Sequence, residues 1–147
     1  GAMGSGLAKY LPGATNLLSK SGEVSLGSLV GKTVFLYFSA SWCPPCRGFT
    51  PVLAEFYEKH HVAKNFEVVL ISWDENESDF HDYYGKMPWL ALPFDQRSTV
   101  SELGKTFGVE SIPTLITINA DTGAIIGTQA RTRVIEDPDG ANFPWPN

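Results

Sequence analysis

Cysteine is scarce in this chain. Its 147 residues include only two, Cys43 and Cys46, with two residues between them. A secreted disulfide scaffold spreads four or more along the chain, so this usage points to a reducing compartment, and a cytoplasmic location is expected. Long apolar runs are missing as well: no stretch approaches the roughly 18 uninterrupted apolar residues of a membrane helix. Positive charge is short, 11 Lys and Arg against 16 Asp and Glu, and the net charge of −5 argues against a nucleic-acid partner. The start of the chain shows no basic patch leading into an apolar signal core. Gly1-Ala2-Met3-Gly4 reads as an expression remnant, and residues 1–6 are expected to be a flexible terminus ahead of a single domain over 7–147. Low complexity is absent too, since 43% of residues are apolar and 12% aromatic. A chain this long buries roughly 68–70% of its unfolded surface, so folding requires neither disulfide staples nor a metal.

What is present alternates between strands and helices. Asn16-Leu17-Leu18 and Glu23-Val24-Ser25-Leu26, separated by Lys20-Ser21-Gly22, predict an edge hairpin. Thr33–Ser39 and Phe66–Trp73 are β-branched and aromatic runs without polar alternation, as suits strands buried on both faces. Between them, Phe49, Val52, Leu53, Phe56 and Tyr57 form a helical stripe over 44–61, with Pro51 removing one backbone donor and predicting a kink. Asn76 is expected to cap a short helix through about Tyr84. A Pro-rich connection from Met87 to Phe94 leads to a third helix with Ser98 as cap, Val100, Leu103 and Phe107 as stripe, and Gly108 as stop. Thr114–Asn119 and Ala124–Thr128 predict a hairpin around Ala120-Asp121-Thr122-Gly123, and the polar, Pro-rich stretch after Arg131 an irregular surface tail. The order is that of an α/β protein with a mixed sheet.

The chemistry concentrates in Ser41-Trp42-Cys43-Pro44-Pro45-Cys46-Arg47, where a buried strand gives way to a helix. A sulfur at a helix N-terminus meets free amide donors and partial positive charge, which favour the nucleophilic thiolate. Cys46, within the first turn, is close enough to attack a mixed disulfide on Cys43. Pro44 and Pro45 stiffen the loop and withhold two donors from sulfur. Three other uses of the pair fit poorly. A structural disulfide closing so short a loop gains only about 2 kcal/mol. Zinc needs four ligands, and haem attachment needs a histidine where Arg47 stands. Trp42 is expected to offer partners a flat apolar surface, or else to be a half-buried packing residue. No glycine-rich phosphate loop is present. His60 and His61 point roughly 100° apart on a helix, which suits solvated helix-end cations rather than one metal, and His81 has no evident partner.

Trp-Cys-x-x-Cys after an apolar strand, Pro51 five residues past Cys46, and Ile112-Pro113-Thr114 before a strand together resemble the thioredoxin superfamily. Within it, Trp42–Arg47, Ser72-Trp73-Asp74-Glu75 and Pro88–Phe94 are similar to the tryparedoxins and their nucleoredoxin relatives, a likeness covering the chain after its first few residues. The resemblance implies a thioredoxin fold, with a mixed central sheet flanked by helices and an N-terminal hairpin extension. It implies a dithiol–disulfide oxidoreductase with no bound cofactor, reduced by trypanothione as co-substrate. Its implied acceptors are peroxidases of the peroxiredoxin and glutathione-peroxidase types and ribonucleotide reductase. It further implies a cis Ile112–Pro113 bond facing Cys43, with the Ile112 backbone open to an extended substrate. Glu75 would attract the polyamine arm of trypanothione and Arg131 a glutathionyl carboxylate. Thioredoxins proper carry a buried Asp six residues before the first cysteine, where Tyr37 stands here. A monomer is expected. A general protein-disulfide reductase and a redox-inert adaptor of the same fold are the alternatives.

Overall fold

The computed structural model describes residues 5–11 and 16–147, so the remnant Gly1–Gly4 lies outside the described residues. In chain order the elements are β1 (Asn16–Ser19), β2 (Gly22–Ser25), β3 (Thr33–Ser39), α1 (Pro44–His60), β4 (Phe66–Ser72), α2 (Glu77–Tyr84), β5 (Leu90–Ala91), α3 (Arg97–Thr106), β6 (Thr114–Asn119), β7 (Ile125–Gly127) and α4 (Ala130–Glu136). All seven strands join one mixed sheet in the order β2-β1-β5-β4-β3-β6-β7, the thioredoxin fold with its hairpin extension. β3 pairs in parallel with β4 from Thr33↔Phe66 to Ser39↔Ser72, and antiparallel with β6 on its other side.

The apolar run of β3 needs two covers because successive side chains face opposite ways. Phe35 and Tyr37 meet Phe49, Leu53, Phe56 and Tyr57 of α1. Val34, Leu36 and Phe38 meet Leu103 of α3 and the N-terminal leucines Leu7 and Leu11. Each large side chain so buried contributes roughly 1.5–3 kcal/mol. This central position carries the end of β3 straight to the cysteines.

Several expectations are corrected. The Met87–Phe94 connection contains β5, whose two residues are too few to show a period, yet it bonds the hairpin to β4. α3 starts one residue before Ser98, with Gln96 as its cap and no side-chain cap bond. Val52 drops out of the α1 stripe at 41% exposure, while Cys46 and Thr50 join the buried face. Ser5 and Gly6 form a 3-10 turn with Leu7–Lys9, and a side chain at Gly6 would collide with the backbone of Gly123. The stretch beyond Arg131 is neither irregular nor superficial. It opens with α4 and then returns Phe143 and Trp145 to the core, with Trp145 5% exposed and its ring 5.4 Å from that of Phe56. Asp137 gathers that return by accepting from Trp145 Nε1 at 2.9 Å, Asn142 N at 2.8 Å and Ala141 N at 3.0 Å.

Candidate active site

Cys43 is the N-cap of α1. Its extended backbone (φ −102°, ψ 106°) turns Sγ onto the helix end, where it accepts from Cys46 N at 3.3 Å. Pro44 and Pro45 occupy the first helical positions, so two of the leading amides have no hydrogen, and Cys46 N–H is the one aimed at sulfur. The two cysteines are joined as a disulfide. Cys46 is fully buried, Cys43 is 5% exposed, and Trp42 beside them is 53% exposed. Cys43 is therefore the less enclosed of the two sulfurs. Ile112–Pro113 is cis, and Cys43 Sγ lies 3.7 Å from Ile112 O. Ile112 and Trp73 pack against the cysteines.

The loop before Cys43 is anchored by Asp74. This carboxylate, 2% exposed, accepts from Ser41 N at 3.0 Å and Ser41 Oγ at 2.5 Å, and its other oxygen accepts from Ser72 Oγ at 2.8 Å. Arg97 braces the same corner by donating to the carbonyls of Phe94, Ser72 and Asp74. Trp42 Nε1 donates to Trp73 O at 3.4 Å. Asp74 is thus a buried tether and not a member of the exposed acidic group formed by Glu75, Glu77 and Asp79.

Behind Cys46 runs a chain of hydroxyls. Thr50 Oγ1 lies 3.0 Å from Cys46 O, 2.7 Å from Tyr37 Oη and 2.8 Å from Tyr83 Oη, and Tyr83 continues to Ser39 Oγ at 2.6 Å. Tyr37 Oη is itself 3.3 Å from Cys46 O. One proton order satisfies the chain: Thr50 donates to the carbonyl, both tyrosines donate to Thr50, and Ser39 donates to Tyr83. Burial first, and then the neighbouring Tyr83, hold the Tyr37 hydroxyl well above the usual phenol range.

The remaining predicted residues distribute around this centre. Pro44 and Pro45 are exposed on the rim. Arg131 lies on α4 and reaches Pro113 O at 3.4 Å. Glu75 lines a groove of about 680 Å3 together with Trp42, Trp73 and α3. The histidines are elsewhere and engaged. His61 stacks on Tyr57 at 4.0 Å, His60 Nε2 is 3.0 Å from Pro138 O, and His81, expected alone, pairs with Glu77 at 3.5 Å. Among the described residues no three His, Cys, Asp or Glu side chains form a metal-binding group. No described helix is long and apolar enough to cross a membrane. Sequence reasoning missed the roles of Ser41, Asp74, Arg97, Thr50 and Tyr83. The available signal was Ser72-x-Asp74 directly after a buried strand, a pattern that offers a local cap for the carboxylate.

Residues 31–125 match the thioredoxin-like family. Human nucleoredoxin is 42% identical over 131 residues, which is 88% of this chain but 30% of nucleoredoxin, so the chain spans about three-tenths of the length of that relative. Among solved structures, tryparedoxin II complexed with glutathionylspermidine is 59% identical with a TM-score of 0.95, over 97% of this chain and 100% of that one. Tryparedoxin I of Crithidia fasciculata is also 59% identical with a TM-score of 0.95, over 97% and 99%. The chain therefore belongs to the thioredoxin-like family, in its tryparedoxin and nucleoredoxin branch, and is a dithiol–disulfide oxidoreductase domain built on Cys43 and Cys46.

Proposed function

We propose that the protein ferries electron pairs from the small dithiol trypanothione to protein disulfides, with Cys43 as the attacking sulfur and Cys46 as the resolving one. The carrying observation is the asymmetry of the pair: Cys43 Sγ sits on the helix end beneath Cys46 N–H, while Cys46 is wholly enclosed. In the reduced protein, that amide and the helix dipole stabilise the Cys43 thiolate. The thiolate attacks a partner disulfide, one partner sulfur leaves as a thiolate and takes a proton, and a mixed disulfide forms on Cys43. Cys46 then gives up its proton and attacks Cys43 Sγ. The Cys43–Cys46 bond closes, and the second partner sulfur leaves reduced. Trypanothione runs the same exchange backwards and ends as its own disulfide, so two electrons pass per cycle and no bound cofactor is needed.

The acceptors in this reading are peroxidases of the peroxiredoxin and glutathione-peroxidase types and ribonucleotide reductase, met in the cytoplasm by a monomeric carrier. Trp42, Pro44 and Pro45 form the exposed apolar rim on which partners dock, and the Ile112 backbone beside Pro113 pairs with their extended segments. Glu75 takes the cationic polyamine arm, and Arg131 takes a glutathionyl carboxylate. The bound glutathionylspermidine of the tryparedoxin II structure supports this substrate class.

Three measurements test the reading. Cys46→Ser is expected to accumulate a mixed disulfide through Cys43, and trapping on Cys46 in Cys43→Ser would reverse the roles. Oxidised protein is expected to be reduced faster by trypanothione than by glutathione or a thioredoxin reductase. Equal or greater rates with the latter two would make it a general protein-disulfide reductase, and retained biological function in the double Cys→Ser variant would make it an adaptor.

A further inference from the structure

A second groove lies on the α1 side of the sheet, where Phe49 and Tyr83 pack, away from the side covered by α3. It holds about 500 Å3 between α1 and the end of α2, and its lining is Arg47, Thr50, Pro51, Ala54, Tyr83 and Lys86. The four α1 residues recur at helical spacing and make one face about 10 Å long. Pro51 is exposed and Ala54 half-buried, while Thr50 and Tyr83 are buried with their hydroxyls bonded to each other. Those hydroxyls are spent in the row behind Cys46, so what the floor leaves to a visitor is mainly apolar. Charge comes from two separate segments. Arg47 donates Nη1 to Ser41 O at 2.9 Å and meets no carboxylate, and among the described residues the Lys86 ammonium has no hydrogen-bond or ion-pair partner. In a chain of net charge −5, two cations without counter-charge border one apolar strip. Arg47 follows Cys46 directly, and its bond to Ser41 makes the groove continuous with the rim of Trp42, Pro44 and Pro45.

We propose that this groove seats an acidic segment of the acceptor protein, the stretch of chain flanking the disulfide that is delivered to Cys43. Carboxylates of that segment meet Arg47 and Lys86, and an apolar side chain between them lies on Pro51 and Ala54. The inference rests on protein disulfides being the acceptors, and it adds which of them are served fastest: those with acidic neighbours. The sulfur chemistry itself is unchanged. The groove acts on encounter, so its effect falls on the second-order rate and fades as salt screens the charges.

The test uses the intact reduced protein and two synthetic peptides with one internal disulfide each, alike except for a flanking Glu-Leu-Glu or Gln-Leu-Gln. Lys86→Glu reverses one charge at an exposed position with no partner to lose, and Lys86→Arg keeps the charge. The wild type is expected to reduce the acidic peptide about fivefold faster than the neutral one at low salt, as befits two exposed charge pairs, and the advantage shrinks as salt rises. Lys86→Glu is expected to bring the two rates level and Lys86→Arg to keep them apart. Both variants reduce the neutral peptide at the wild-type rate. A wild type that reduces both peptides equally fast would overturn the groove assignment and leave the carrier reading in place. An acidic preference that survives Lys86→Glu would do the same, because the charge would then be read elsewhere. A wild type that reduces neither peptide, although dithiothreitol reduces it, is a different result, and it would remove protein disulfides as the acceptors.

Discussion

On the Cys43 side of the disulfide, the chain is held by a charge. Asp74 reaches across from the end of β4, fixes Ser41 through both its amide and its hydroxyl, and has Arg97 beside it. On the Cys46 side, the helix is held by neutral groups: Thr50, Tyr37, Tyr83 and Ser39 hand hydroxyl protons along a buried row ending at the Cys46 carbonyl. The difference follows what each side must hold. A loop with free amides needs a strong multiple acceptor, and a carboxylate provides it. Beneath the fully buried Cys46, a second charge would carry its own desolvation cost, and hydroxyls satisfy one another without adding one.

Asp74→Ala is expected to cost the most. It strands the Ser41 and Ser72 donors and removes the counter-charge of Arg97, a loss of about 3 kcal/mol read from the urea midpoint. A loss under about 1 kcal/mol would show that the two sides are not held differently. Thr50→Val cuts the hydroxyl row at its centre, and a loss of about 1–3 kcal/mol is expected because both tyrosine hydroxyls lose their shared acceptor. Tyr37→Phe should cost only about 1 kcal/mol, since Thr50 still donates to the Cys46 carbonyl. If Tyr37→Phe equals Thr50→Val, the row is not centred on Thr50.

A pH series sharpens the contrast further. Burial first, and then Glu67, push the Tyr84 phenol up to about 12. Burial raises Tyr37 beyond the usual phenol range as well. A raised folded value favours the protonated form on folding. The stabilisation is therefore complete below the unfolded phenol pKa of about 10 and declines as pH climbs towards the folded values. Phenolate absorbance and denaturant midpoints should show a flat response below about pH 10 and falling stability above it. The smallest effect is expected at Asp137, remote from the cysteines. Hydrogen bonds from Trp145 and then Asn142 lower its pKa, so its contribution is present above the ordinary carboxylate range and fades as pH falls through the folded value. Tryptophan fluorescence should follow that release in the wild type and lose the transition in Asp137→Asn.

The central architecture was readable because it is written in periods. Thr33–Ser39 was placed residue for residue, Asn76 does cap α2 through Asp79 N, and both hairpins formed. Cys43 and Cys46 stand out by their spacing, whereas the cis Ile112–Pro113 bond is an implication of the family resemblance. The unread parts carry no period. β5 is two residues long, and Thr50 and Tyr83 lie buried on helix faces where a hydroxyl is hidden among apolar neighbours. Asp74 looks like one of several helix-start acids, and the donors from Ser72 and from Ser41, 33 residues away, separate it from Glu75. The C-terminal stretch was misjudged because its prolines and polar residues outnumber the aromatics, although Phe143 and Trp145 decide where it goes.

The two rims of the sheet bear on how copies of this protein behave towards one another. The outermost strands are β2, four residues long, and β7, three. Along β7 the chain's last residue lies beside the free side, with Asn147 N donating to Ile126 O at 3.1 Å and its side-chain oxygen accepting from Thr128 N at 3.1 Å. Short or occupied rims give a stray β-segment little to extend, which counters self-stacking and the fibrous deposits that follow from it. Closed rims leave the backbone of the sheet little part in self-association, and crowding the protein to high concentration should preserve solubility.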